Sequence, residues 1–485
     1  MTAQNKRRWY KWHRRLGIIV LIPIILWTVS GTMHPLMANW FRPNLAHQEP
    51  ATPILSPENI KLSLNELLSL QHITTFSNFR IVLFDTSYYY QIDFGKSGLR
   101  YFKADNGEEL EHGDELYADQ LARFYSGFTD SIQQRYMLTH FDHQYKAINR
   151  LLPVYRIRFD KADIYVDTRS DRLGTYNSTA RKAFIWLFNN LHNWLFLEGI
   201  GNILFRKVIM LTFLSIIWVT AISGLFVYGF MWKKTKKLSK IKDKKPQHKL
   251  RKYHRTLGIA ISVFMLTFAG SGSFHLLLVD NTQQIDSDTY EHTQQIQQNR
   301  LIVDTKVLLR KYGALTNLSV AQVGDQYFYQ LYGRNTKENI GTVRYINAHD
   351  GEEWKNGDRE YAIYLAGIYA QKDGLDAVSL AAEKPRKINT FNAEYGFINK
   401  RLPVWRVASN NQNDLRYYIE TSTGILSSKV KPLDIIEGYS FAFLHKFHPV
   451  GFVLGNNIRD ILLVLIALSI CAVSILGLIM LIRKK

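Results

Sequence analysis

Four long apolar runs divide the sequence into alternating hydrophobic and mixed segments. They cover Leu16–Met37, Val208–Trp232, Leu257–Val279 and Ile461–Ile482, and none of them contains Asp, Glu, Lys or Arg. A helix needs roughly 20 apolar residues to cross the hydrocarbon of a bilayer, and charged side chains are strongly disfavoured at its centre. The pattern therefore predicts an α-helical membrane protein with four transmembrane helices.

The two long segments between these helices have the pattern of α+β domains. Residues 38–207 and 280–460 contain short runs rich in β-branched and aromatic residues, separated by turn-forming residues, which indicates strands. In the first segment the predicted helices are Ser63–Leu70 and Tyr117–Tyr125, and the predicted strands are Phe79–Phe84, Tyr88–Phe94, Leu99–Lys103, Val154–Phe159 and Ile164–Asp167. We expect two units of one helix and three strands in each segment, and four such units in the chain.

The sequence also repeats itself. Residues 12–18 (WHRRLGI) match residues 253–259 (YHRTLGI) at an offset of 241. Four further matches follow in the same order: 31–34 with 272–275, 104–109 with 348–353, 152–156 with 402–406, and 188–192 with 441–445. The pattern predicts an internal duplication. Because each copy would contain two transmembrane helices, the copies would insert in the same orientation, as parallel repeats.

The distribution of charge predicts the orientation in the membrane. Residues 1–15, 233–256 and 483–485 hold 21 Lys and Arg against one Asp, and so carry the whole net charge of +20. An excess of basic residues beside transmembrane helices marks cytoplasmic segments, which places both long segments outside the cytoplasm. Those two segments carry no net charge, which argues against the basic face of a nucleic-acid-binding protein. The first run is longer than the apolar part of a signal peptide, so we expect it to be retained.

Histidines recur at equivalent positions of the two halves. The recurring residues are His13 with His254, His34 with His275, and His192 with His445. A separation of 21 residues places His13 and His34 about 31 Å apart on a straight helix, one at each end. Polar groups in transmembrane helices usually face the interior of a bundle or a functional site, and neutral imidazole is a common axial ligand of haem iron.

These observations make the six recurring histidines candidate haem ligands, with His448 as a possible substitute. His13 and His254 are expected to meet at the cytoplasmic end, where Arg14, Arg15 and Arg255 could pair with haem propionates. At the other end, His34 or His275 is expected to pair with His192 or His445. Gly31 and Gly272 would leave room for a flat macrocycle. The alternative is that each histidine is an interfacial anchor of its helix. Zinc or copper is less favoured, because no tight His/Cys cluster is present.

Several of these motifs resemble those of a known family. The strand ends YINAHDGE (residues 345–352) and YIETSTG (418–424) are similar to the ends of PepSY units. The HxxLG motif at the start of an apolar run, with a second histidine near its far end, resembles the PepSY-associated transmembrane helix family. That family includes iron-regulated membrane proteins and haem-containing ferric-siderophore reductases. The resemblance implies two extracytoplasmic α+β domains made of PepSY-like units.

The resemblance also implies a function. It suggests a bacterial inner-membrane reductase with haem b, two haems being expected, that passes electrons to a ferric siderophore or other iron chelate at the periplasmic face. No flavin or nicotinamide motif is found, so electrons would come from quinol or a cytoplasmic reductant. One alternative is a membrane-anchored PepSY binding or regulatory module without redox activity. Another is a siderophore or metal permease, against which stands the lack of acidic or basic side chains within the apolar runs.

Overall fold

The structure is a computed structural model that describes residues 3–39, 41, 43–46, 48–227, 246–278, 291–334, 341–375, 384–409 and 414–482. The end of the second predicted transmembrane helix, most of the basic loop that follows it, and residues 483–485 lie outside the described residues. The chain forms two compact units. One, the helical unit, comprises Met1–Arg42, Thr179–Gln283 and Leu433–Lys485; the other, the strand-rich unit, comprises Pro43–Ser178 and Gln284–Pro432.

The described part of the chain contains the following helices and strands. The α-helices are α1 (Ala3–Ile19), α2 (Leu21–Asn39), α3 (Leu64–Leu70), α4 (Gly113–Ser126), α5 (Thr179–Leu191), α6 (Ile203–Leu225), α7 (Pro246–Leu278), α8 (Thr305–Tyr312), α9 (Gly357–Lys372), α10 (Pro432–Ser440), α11 (His448–Leu454) and α12 (Asn456–Ile482). The strands are β1 (Thr75–Phe76), β2 (Asn78–Phe84), β3 (Ser87–Asp93), β4 (Leu99–Lys103), β5 (Gln134–Leu138), β6 (Val154–Arg158), β7 (Ala162–Asp167), β8 (Arg172–Ser178), β9 (Ile296–Gln297), β10 (Leu315–Val323), β11 (Gln326–Arg334), β12 (Gly341–Asn347), β13 (Arg386–Ile388), β14 (Val404–Ala408), β15 (Arg416–Glu420) and β16 (Ile425–Val430).

The helical unit has the apolar helices of a multi-pass membrane protein. Among the described residues, α6, α7 and α12 are each long and apolar enough to cross a membrane. The helices α1 and α2 make a fourth span if the two are taken together, with a bend of 55° between them. The helix α2 packs against α12, and α7 packs against both α6 and α12.

Pro23 explains the bend between α1 and α2. A proline has no N–H for the carbonyl four residues earlier, and its ring clashes with that carbonyl, so a helix breaks there. The carbonyl concerned belongs to Ile19, the last residue of α1. The sequence-based distance between His13 and His34 assumed a straight helix and is therefore wrong for this copy. In the second copy, His254 and His275 do lie on one unbroken helix, α7.

The strand-rich unit consists mainly of antiparallel sheets. Two sheets have three strands, in the orders β2-β3-β4 and β10-β11-β12, and two have four, in the orders β5-β6-β7-β8 and β13-β14-β15-β16. The apolar faces of the helices α3, α4, α8 and α9 pack into cores with these sheets. The α+β class is confirmed, with four helix-and-sheet units. The prediction of three strands in every unit is wrong for two of them, because the flanking strands β5, β8, β13 and β16 complete four-stranded sheets.

The two long segments share one core instead of folding as separate domains. Strands β1 and β9 pair across the halves, with Thr75 opposite Gln297. A reciprocal contact joins β2 and β10: the side-chain oxygen of Asn78 accepts from the Val320 amide at 3.1 Å, and that of Asn317 accepts from the Ile81 amide at 2.9 Å. Because the three-stranded sheets bury their apolar side chains in a single cluster, neither sheet has a complete core on its own.

A buried ion network also joins the halves of the strand-rich unit. Glu420 on β15 pairs with Arg172 of the first half and with Arg401, both at 2.7 Å, and it is 1 % exposed. Arg172 also pairs with Glu49 at 3.0 Å. Burial alone would raise the pKa of Glu420, but the two guanidinium groups outweigh this and lower it to about 2.

Removing the carboxylate of Glu420 should destabilise this unit. In E420Q, two buried guanidinium groups would lose their shared partner, and loss of one member of a buried ion network typically costs about 3–5 kcal/mol. The half-exposed pair of Glu360 with Arg359 supplies the control, since E360Q should change stability by less than about 1 kcal/mol. Thermal unfolding and limited proteolysis of the detergent-purified protein measure both. Equal stability of the two variants would contradict a central role for Glu420.

The same network predicts a loss of stability in acid. A carboxyl group whose pKa is lower in the folded state stabilises the fold above its unfolded pKa, and this contribution disappears as the pH falls towards the folded pKa. For Glu420 the window runs from its ordinary pKa of 4.5 down to about 2. Burial raises the pKa of Glu49, so Glu49 is not expected to add to the loss. The melting temperature of the wild type should fall as the pH is lowered through this window, and that of E420Q should fall less.

Candidate cofactor site of the helical unit

His13 and His254 face each other at one end of the helical unit, which we name the His13 end. His13 lies on α1 and His254 on α7, and their ring centroids are 6.4 Å apart with an interplanar angle of 60°. Metal–imidazole nitrogen bonds are about 2.0 Å long, so two imidazoles on opposite sides of one metal ion have ring centroids about 6 Å apart. The separation therefore fits two ligands of a single metal centre.

Backbone carbonyls set the tautomer of both rings. Nδ1 of His13 lies 3.1 Å from the Thr220 carbonyl oxygen and 3.0 Å from Oγ of Ser223, whose hydroxyl donates to that same carbonyl at 2.8 Å. Nδ1 of His254 lies 3.0 Å from the Val473 carbonyl oxygen. A carbonyl oxygen only accepts hydrogen bonds, so in each neutral imidazole Nδ1 carries the proton and Nε2 carries the lone pair. This is the arrangement that metal-binding histidines adopt, with the other ring N–H donated to a fixed acceptor.

Glycines let the two rings lie close to the neighbouring helices. A Cβ atom on Gly224 would lie 3.0 Å from Cε1 of His13, and one on Gly477 would lie 3.4 Å from Cε1 of His254. The first distance is shorter than ordinary van der Waals contact, so a larger residue at Gly224 would push the His13 ring away, whereas a Cβ atom on Gly477 would just touch the His254 ring. The two glycines occupy equivalent positions of the repeat, as do Thr220 and Val473.

A cavity at the His13 end is lined by both histidines and by basic side chains. The basic lining residues are Arg14, Arg251 and Arg255, and the rest of the lining is mainly apolar. An apolar slot with guanidinium groups at its rim suits a flat apolar molecule that carries carboxylates. Arg15, which the sequence also suggested, is not among the lining residues.

At the opposite end of the unit, which we name the His34 end, two further imidazoles make a similar Nδ1 hydrogen bond, here with a serine hydroxyl in place of a backbone carbonyl. Nδ1 of His192 lies 3.0 Å from Oγ of Ser30, and Nδ1 of His445 lies 3.2 Å from Oγ of Ser271. Each serine hydroxyl donates its single hydrogen to a carbonyl of its own helix, at 2.7 Å for Ser30 and 2.6 Å for Ser271. With the hydroxyl hydrogens on these carbonyls, the hydroxyl oxygens accept from the imidazoles, and this assigns the lone pair to Nε2 in both rings.

Aromatic rings hold these two histidines in place. His192 stacks on Phe188 with centroids 4.5 Å apart, and His445 stacks on Phe441 at 4.6 Å. The Trp27 indole donates to the carbonyl oxygen of His192 at 2.8 Å and stacks on Trp194 at 4.8 Å. His192 therefore has its ring, its tautomer and its backbone each fixed by a separate contact.

His34 and His275 differ from each other. Nδ1 of His275 lies 2.5 Å from a carboxylate oxygen of Glu437, and the ring stacks on Phe441 at 4.3 Å. His34 instead lies within electrostatic range of Lys446, Arg459, Arg181 and Asp460.

The structure brings the six predicted histidines together in two groups. His13 and His254 form the pair at the His13 end. At the His34 end, His192 lies within electrostatic range of His445 and His34, and His445 within range of His275 and His34. His448, at the start of α11, lies beside Phe452 with ring centroids 6.4 Å apart. Within the described residues, no group of three or more His, Cys, Asp or Glu side chains could hold a metal ion alone.

Sequence reasoning missed the residues that orient the histidines. Ser30 and Ser271, like Gly224 and Gly477, recur at the offsets of the repeat, so a search for recurring small and polar residues would have found them. At the two glycines that were expected to leave room for a macrocycle, a Cβ atom on Gly31 would meet nothing within 4 Å and one on Gly272 would lie 3.7 Å from Cε1 of His445. Glu437 has no counterpart in the first half, where Phe184 stands, and no sequence signal pointed to it.

Comparison with known families agrees with the organisation of the helical unit. No curated protein sequence matches the chain. The model of one family, described as the PepSY-associated TM region, matches residues 129–485. This match covers well over half of the chain, including α6, α7 and α12, and it begins after α1 and α2. The protein is therefore a multi-pass membrane protein that belongs to the family of the PepSY-associated TM region.

Proposed function

We propose that this protein is a haem-containing membrane reductase that passes electrons to an iron chelate, such as a ferric siderophore, for iron uptake. The observation that carries the proposal is the shared state of four histidines in two equivalent pairs. In His13, His254, His192 and His445, Nδ1 donates to an acceptor on another helix, which leaves the lone pair on Nε2. Interfacial anchoring alone would not require four imidazoles in one tautomer.

In this proposal His13 and His254 hold one haem b at the His13 end. The second haem lies at the His34 end, between two of His34, His192, His275 and His445. Haem would supply a centre that takes up and releases one electron at a time. The protein's own part is to fix the tautomers through Thr220, Val473 and the two serines, and to offer basic groups to the propionates.

The proposed reaction is a one-electron reduction. A donor, either quinol or a cytoplasmic reductant, gives up one electron, and ferric iron in the chelate accepts it to become ferrous iron. Siderophores bind ferrous iron less tightly, so reduction releases the metal. No acid–base residue is required, because the step moves an electron without breaking a covalent bond.

The proposal also includes the topology and origin of the chain. We propose that the basic segments lie in the cytoplasm, with the His13 end at the cytoplasmic face of a bacterial inner membrane, and that the two long segments lie in the periplasm. The four helix-and-sheet units are proposed to be PepSY units that arose with the transmembrane helices in one duplication. The recurrence of the Ser30–His192 contact as Ser271–His445 supports this, since two independent segments would not share such pairs.

The first expected outcome is a b-type cytochrome spectrum. Detergent-purified protein should show a Soret band, with sharp α and β bands after reduction by dithionite, because two imidazole ligands give low-spin iron. Subsequent addition of a ferric chelate under anaerobic conditions should restore the oxidised spectrum. A featureless spectrum, even after expression with added haem, would contradict the proposal and favour a membrane-anchored binding module.

A second outcome concerns His254. The H254A variant should lose about half of the bound haem, because it lacks a ligand of one site while the His34 end is unchanged. Loss of a residue that only orients a ligand typically lowers metal affinity 10–100-fold, and loss of the ligand itself should lower it at least as much. The pyridine haemochrome assay measures haem per chain. The matched control is H349A, since His349 lies in an exposed turn of the strand-rich unit and its loss should leave haem content unchanged. Equal haem content in H254A and the wild type would exclude His254 as a ligand.

A further inference from the structure

Glu437 forms a close contact with one candidate ligand. It lies on α10, and its carboxylate oxygen is 2.5 Å from Nδ1 of His275. The His275 ring cannot turn freely, since it stacks on Phe441 at 4.3 Å. The Glu437 side chain is 13 % exposed and that of His275 is 39 % exposed, so the carboxylate is largely buried while one side of the ring stays open.

The first half of the chain has no such contact. Glu437 corresponds to Phe184 at the offset of 253 that relates His192 to His445, and Phe184 packs on Phe41 with ring centroids 5.1 Å apart. Within the described part of the chain, His34, the counterpart of His275, has no hydrogen bond to a carboxylate. Duplicated positions therefore have different partners.

The charged groups around His34 and His275 also differ. Three cations, on Lys446, Arg459 and Arg181, and one anion, on Asp460, lie within electrostatic range of His34. His275 instead has a carboxylate in direct contact. A metal ligand next to an excess of positive charge favours the reduced metal, whereas one that donates to a carboxylate favours the oxidised metal.

We infer that Glu437 is a positioning residue that lowers the midpoint potential of the haem proposed at the His34 end, with His275 as one ligand of that haem. Its carboxylate accepts the Nδ1 proton of His275, which makes Nε2 a stronger electron donor to the iron of a bound haem. The ferric form at His275 is thereby stabilised, and the midpoint potential of that haem is lowered. The inference rests on the proposed haem binding but concerns a property that haem binding alone does not give.

A redox titration tests this inference. Wild type, E437Q and E198Q are purified with haem, and the absorbance of the α band is followed against ambient potential. E198Q is the matched control, since Glu198 is also a carboxylate of the helical unit but pairs with Arg206 at 2.7 Å. In E437Q the ferric-to-ferrous ratio of one haem at fixed potential should fall about tenfold, which raises its midpoint by about 59 mV for a one-electron couple. E198Q should keep both wild-type midpoints.

The possible results separate the inference from the proposed function. An upward shift of one haem in E437Q, with haem content and Soret band retained, supports the inference. Unchanged midpoints in E437Q overturn it and leave haem binding intact. A wild type without any Soret band overturns both. If E437Q cannot be recovered from membranes, E437D tests the same contact, because its carboxylate is one methylene further from Nδ1; its midpoint should also rise, and an unchanged midpoint would overturn the inference.

Discussion

The hydrogen bond from an imidazole Nδ1 to an acceptor on a neighbouring helix is the interaction on which the helical unit depends. In His13 and His254 this bond ties α1 to α6 and α7 to α12 through the Thr220 and Val473 carbonyls. Each carbonyl accepts from an imidazole of another helix, and at Thr220 the Ser223 hydroxyl donates to the same oxygen at 2.8 Å. The contact therefore fixes the helix packing and the ring tautomer together, and any metal chemistry at Nε2 inherits that geometry.

Much of this arrangement could be predicted from the sequence, because its main residues recur at nearly constant offsets. The apolar runs, the α+β class and the six recurring histidines followed from periodicity and from residue pairs at a constant offset. The length of α7 agrees with that reading, since His254 and His275 share one helix. The shared core of the long segments could not be predicted, because the pairing of β1 with β9 joins residues more than 200 positions apart and leaves no local pattern.

Other features escaped prediction for identifiable physical reasons. Proline is tolerated in the first turn of a helix, and Pro23 lies in the first turn of α2. The break becomes evident only when the Ile19 carbonyl is seen to clash with the proline ring. The orienting carbonyls of Thr220 and Val473 belong to the backbone, so the residue type does not reveal them. A repeat search also favours what the two halves have in common, and for that reason it passes over a residue such as Glu437.

The two halves of the helical unit share one set of contacts and differ in another. The serine contacts of His192 and His445 recur in both halves, whereas a carboxylate lies beside His275 and an excess of cations lies around His34. In the proposed haem protein, the shared contacts would determine where a cofactor is held. The contacts that differ would act on the one haem of the His34 end, where they would set its midpoint potential relative to that of the haem at the His13 end, and so the direction in which electrons move between the two.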